Sequence, residues 1–149
     1  MGTITTAGTI VSISATLPAT NNAAGFAAVT GLEPVGFTTD IGAFGSTYTP
    51  VSSIYIGDRI EREAKGSKKL GNPSIVVDTD YDDAGQNLLR EAAESDANYT
   101  IKYLYTDGVV QWFQAKVMSN EKSNGDANKY VNQTFNLAIQ EEIIYVAAP

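Results

Sequence analysis

The sequence predicts a mainly antiparallel β domain with one middle helix, and three observations predict it. Residues 9–17 alternate, with Thr9, Val11, Ile13, Ala15 and Leu17 on one side and Ile10, Ser12, Ser14 and Thr16 on the other, the period-two pattern of a half-buried strand. Residues 99–105 and 109–118 alternate on either side of Asp107-Gly108, a preferred two-residue hairpin turn. Only residues 82–94 carry a broad apolar stripe at helical spacing: Ala84, Leu88, Leu89, Ala92 and Ala93, with Asp82 or Asp83 as cap.

The remaining elements follow in chain order. Pro18 ends the first strand, and Thr20 is placed to cap a short helix carrying Phe26 and Val29, against which Gly25 counts by about 1 kcal/mol. Residues 32–45 read as β-like text punctuated by Gly36, Gly42 and Gly45. Residues 51–56 form another strand. Residues 58–71, "DRIEREAKGSKKLG", hold five of the ten basic residues, Arg59, Arg62, Lys65, Lys68 and Lys69; with Gly66, Gly71 and Pro73 they read as a long loop or loosened hairpin. Residues 74–80 form a strand centred on Ile75, Val76 and Val77. In the later hairpin Tyr99, Ile101, Tyr103 and Tyr105 share a face. Residues 120–129 are a polar loop. A long closing strand carries Val131, Phe135, Leu137, Ile139, Ile143 and Tyr145, with a bulge expected at Glu141-Glu142.

At 149 residues the chain fits one domain with a real core, and neither a second domain nor an internal repeat is visible. The charged share is 18%, below the roughly 25% usual for soluble domains. The first charged residue is Glu33, so residues 1–31 form an uncharged, interaction-prone segment. It lacks the basic start of a secretory signal and the ~20 apolar residues of a membrane span, so no membrane partner is expected. A net charge of −7 disfavours nonspecific adhesion to nucleic acid. Cysteine and histidine are both absent, which removes thiolate nucleophiles, the commonest general base and the commonest metal ligand.

The candidate chemical motifs each fall short. Asp80, Asp82, Gly85 and Glu91 match positions of a calcium loop, but Ala84 stands where an oxygen ligand belongs. Gly66 and Gly71 have phosphate-loop spacing, but Asn72-Pro73 replaces the required lysine and hydroxyl. The adjacent carboxylates of Asp82-Asp83 and Glu141-Glu142 form no catalytic couple, since neighbours on a strand face opposite ways. Tyr99, Tyr103, Tyr105 and Trp112 offer a sugar-stacking platform only if they are not core, the commoner fate of such rings. No catalytic, cofactor-binding or metal-binding residues are assigned, and an enzyme is not expected.

The succession of "LPAT..AAGFAAVTGLEPVG", "DIGAFGSTYTPV", "KGSKKLGNP" and "YDDAGQNLLREA", spread over most of the chain, resembles the tail tube (major tail) proteins of long, flexible-tailed bacteriophages. The resemblance implies a β-sandwich or partial barrel with one flanking helix, shared with the tube proteins of contractile injection machines. It also implies hexameric rings, stacked into a tube through which DNA passes as nonspecific cargo. The partners would be further copies of the chain and other tail proteins at the tube ends. The location would be the virion tail, assembled in the host bacterial cytoplasm. Candidate contacts between subunits are Val11, Ile13, Ala24, Phe26 and Val29 in the N-terminal segment, Arg59, Arg62, Lys65, Lys68 and Lys69 in the charged loop, and Ile143 and Tyr145 at the C-terminal strand end. The alternatives are a ring protein of a secretion or contractile injection system, and a β-sandwich that binds carbohydrate or a host surface.

Overall fold

The computed structural model describes residues 2–147. Its elements are β1 (Ile10–Ser14), α1 (Ala23–Ala27), β2 (Glu33–Pro34), β3 (Thr38–Asp40), β4 (Thr47–Ser53), β5 (Arg62–Lys69), β6 (Ser74–Asp78), α2 (Ala84–Ala93), β7 (Tyr99–Leu104), β8 (Val110–Ser123), β9 (Asn132–Ile139) and β10 (Ile144–Val146). Eight strands form one sheet in the order β2-β1-β7-β8-β9-β6-β3, with β10 also on β8, while β4 and β5 pair only with each other. Every pairing is antiparallel. The main sheet stays open, because its terminal strands β2 and β3 do not pair. It is a mainly β architecture short of a closed barrel.

Strand register decides which side chains make the core. β7 and β8 pair from Tyr99↔Ala115 to Leu104↔Val110, so Tyr99, Ile101 and Tyr103 share a face with Phe113 and Ala115. Val11 and Ile13 of β1, Leu137 and Phe135 of β9, and Ile75 and Val77 of β6 join them, and α2 lays Leu89 and Ala92 on this face. Each large apolar side chain so buried contributes about 1.5–3 kcal/mol.

Helix α2 begins where the acidic cap was expected: the Asp83 carboxylate accepts the Gln86 N–H at 3.0 Å. Its inward face keeps four of the five predicted residues, Leu89 and Ala92 in the core with Leu88 and Ala93 packed against it, and departs at the first turn. Ala84 is exposed and Leu88 half-buried, whereas Gly85, Gln86, Leu89 and Ala92 are buried. The reason is Gln86, whose amide finds a full set of partners inside and so turns the helix toward itself.

Helix α1 is capped by Asn22, not Thr20; the Asn22 side chain accepts the Gly25 N–H at 2.8 Å. Gly25 is required here. A Cβ at this position would lie 2.0 Å from the Thr20 carbonyl oxygen, so the same atom that weakens helix propensity permits the close approach.

The expected closing strand is nearly continuous. β9 and β10 run along one edge of β8, with Ile139 opposite Ala115 and Ile144 opposite Trp112. The chain advances five residues there while β8 advances three, so residues 140–143 hold a two-residue excess at the predicted interruption. The polar loop begins later than expected, because β8 continues to Ser123.

Candidate assembly surface

Of the loop and the loosened hairpin expected for residues 58–71, the structure has the hairpin, with residues 58–61 in its connecting loop. Residues 62–69 are β5, paired with β4 from Thr47↔Lys69 to Ser53↔Arg62. Every residue of both strands is exposed, so neither face had to be apolar and no alternation marked the strand. The two strands form an arm. Seven residues of β4 at ~3.3 Å each carry its tip roughly 23 Å from its base. The base is held by Phe44 and Leu70, packed against the core, and carries a surface pair in which Lys68 Nζ lies 2.6 Å from Glu142 Oε1; that hydrogen bond raises the lysine's pKa. Lys65 and Lys68 stand over the Tyr48 ring at 4.6 and 6.0 Å.

The tip, residues 54–61, carries four large apolar side chains that touch no core. Ile54 is 68% exposed, Tyr55 63%, Ile56 109% and Ile60 62%. Among these sits the Asp58–Arg62 ion pair, in which the arginine hydrogen bond, then the Ile60 N–H, hold the Asp58 carboxyl below its ordinary pKa. Large apolar side chains gathered in water on one projection are the kind of surface that protein contacts use. All five basic candidates, Arg59, Arg62, Lys65, Lys68 and Lys69, lie exposed on this arm, with Arg62 and Lys68 already holding carboxylates.

The other candidates divide. Val11, Ile13 and Phe26 are buried within the chain itself, so their side chains offer nothing to a neighbour; Val11 and Ile13 fill the core, and Phe26 stacks on Trp112. Ala24 is exposed and Val29 half-buried, which moves any contact by this segment to the outer side of α1. Ile143 is half-buried against the core, and Tyr145 is 61% exposed on β10.

The sheet face opposite α2 has a distinct character. Register places Lys116, Ser119, Glu121, Asn132, Thr134 and Asn136 on it, and Asn136 Nδ2 donates to Ser119 Oγ across it at 2.7 Å. Lys102, opposite Trp112, and Asp78, opposite Asn132, share this face, so its two cations and two anions balance and the acidity of the chain is not concentrated here.

The sugar-platform residues are otherwise engaged: Tyr99 and Tyr103 are core and Trp112 is 7% exposed beneath Phe26. Burial raises the pKa of Tyr103 and, less completely enclosed, that of Tyr105. In the calcium-like segment Asp80 accepts the Asp82 N–H at 3.0 Å and Asp83 caps α2. Among the described residues no three acidic side chains converge to hold a metal. No helix among them is long and apolar enough to cross a membrane. Sequence reasoning missed the apolar arm tip and Gln86; the cue for the first was "SIYIGDRI", an apolar run around a Gly-Asp turn.

No protein-family model matches the sequence, and no match is found among curated proteins. Solved structures do match it. A chain of the cryo-EM structure of the anti-feeding prophage baseplate, 6-fold symmetrised, has a TM-score of 0.69 at 12% identity and covers 99% of this chain and 98% of that one. A chain from the tail of an empty GTA particle, refined with C6 symmetry, gives 0.65 at 10% identity, covering 93% and 95%. The SPP1 tail tube gives 0.61 at 14% identity, covering 92% of this chain and 75% of that one. The chain has a tail-tube fold. Within that tail-tube fold, the arm, the outer side of α1 and the polar sheet face are the surfaces its own core leaves unused.

Proposed function

We propose that this tail-tube-fold chain is a structural ring-former: six copies close into a ring, rings stack into a tube, and the tube conducts DNA from a phage-type virion. The observation that carries the reading is the arm, whose four large apolar tip residues find no cover in their own chain. Covering them with a neighbour gains roughly 25 cal/mol per Å² removed from water. The sixfold symmetry of two structures of the same fold supports the number of copies. Ring closure also protects the free edges at β2 and β3, which open sheets must otherwise blunt. The polar, nearly neutral sheet face suits the lumen, because a wall with few exposed cations does not hold phosphates. The chain then works in the virion tail after assembly in the host bacterial cytoplasm, with other tail proteins at the tube ends and no catalytic step.

The near-complete match to a baseplate chain of the anti-feeding prophage favours a second reading, a ring of a contractile injection system. That reading shares the assembly and differs in the cargo. Light scattering and negative-stain microscopy of the purified protein test the shared part, and nuclease-protected DNA in tubes isolated from particles separates the two.

A further inference from the structure

We propose that the hollow beside Phe37 and Tyr130 is the receptor for the arm tip of a second copy of this chain; this rests on the ring-former reading and names both halves of one of its contacts. Phe37 has φ 58°, the left-handed region that bulky residues avoid, and its ring is 63% exposed. The strain is imposed from inside. Gly36 N donates to Asp83 Oδ2 at 3.0 Å and Gly36 O accepts from Gln86 Nε2 at 2.7 Å. Phe37 O accepts the Asp78 N–H at 2.9 Å. A half-buried hydrogen-bond network thus fixes a strained backbone that leaves an aromatic ring in water. Strain of this kind collects at functional sites.

Beside the ring lies a hollow of about 360 Å³ lined by Phe37, Asp78, Thr79, Asp80 and Tyr130, the last 80% exposed. Two aromatic and two acidic residues thus line one space that has no cationic lining residue. The arm tip is the complement: Ile54, Tyr55, Ile56 and Ile60 supply apolar anchors, and Arg59 supplies a cation with no carboxylate partner among the described residues. The same sign holds along the segment, since residues 58–71 carry five basic and three acidic residues in a chain of net charge −7. Aromatic and arginine anchors are the usual energetic centre of a protein contact. In a ring or a stack of rings such a contact is heterologous and repeats from copy to copy.

Phe37→Gly tests the receptor with two readouts of opposite sign. Glycine relieves the strain at φ 58°, so the melting temperature rises; the lost ring raises the concentration needed for assembly about tenfold or more. Phe37→Gly that assembles like the unsubstituted protein overturns the receptor. The unsubstituted protein remaining monomeric overturns the ring-former reading and the receptor together. The chain has no cysteine, so Ile56→Cys and Tyr130→Cys add single thiols. Mixed during assembly and oxidised, they should give a covalent dimer that neither variant forms alone. Assembled material without that dimer contradicts the contact.

Discussion

The Phe26 ring stacks on the Trp112 indole, with centroids 5.3 Å apart and planes 21° from parallel. Phe26 is fully buried and is the only buried residue of the five-residue helix α1, so this one contact seats the helix on the sheet. Phe26→Ala is expected to cost about 3–5 kcal/mol, measured by urea denaturation. Trp112 is the sole tryptophan, so its fluorescence should also shift to the red under native conditions. An unchanged spectrum would mean that α1 does not cover the indole.

Gly25→Ala sets helix propensity against packing. Propensity alone predicts a gain of about 1 kcal/mol. The Thr20 carbonyl oxygen, 2.0 Å from the added carbon, predicts a loss of about 1–3 kcal/mol. A lowered melting temperature is the expected outcome.

Gln86 joins three segments. Its Nε2 donates to Gly36 O and Asp78 O at 2.7 and 2.9 Å, and its Oε1 accepts from Asp80 N and Arg90 Nη2, both at 2.9 Å. Gln86→Leu keeps the volume and strands these groups, at about 1–3 kcal/mol for each one left buried and unpaired. The expected total is about 3 kcal/mol or more, with faster hydrogen exchange at Asp80 N. A change below 1 kcal/mol would show that water replaces the amide.

Ala24 is exposed on α1 within a surface that carries no charge before Glu33. Ala24→Glu should leave monomer stability within about 0.5 kcal/mol and weaken assembly, because interface cores exclude charge. Normal assembly would remove α1 from the contact surface.

Legibility followed burial. β1, the β7–β8 hairpin and the start of α2 were visible because one face of each packs on a core, and a buried face imposes a period on the sequence. Even the break at Glu141-Glu142 was visible, since adjacent acids do not fit a half-buried strand. β5 was visible only as one side of an undecided loop or loosened hairpin, because both its faces meet water and its residues obey no alternation. Gln86 was hidden for the opposite reason: a polar residue at a core position is explained only by partners from Gly36 to Arg90. For the same cause Val11, Ile13 and Phe26 were placed at subunit contacts when their own fold had claimed them. Sequence marks a segment as apolar; it does not say whose surface covers it.

The central claim is that the arm tip assembles the chain. The direct measurement is light scattering with negative-stain microscopy, across concentration and salt, on the unsubstituted protein and on Ile56→Asp, a change at the most exposed tip residue. Sixfold rings or tubes are expected for the first, and a folded monomer of unchanged melting temperature for the second. A single monomeric mass for the unsubstituted protein under all conditions, or rings formed equally well by Ile56→Asp, would contradict that claim.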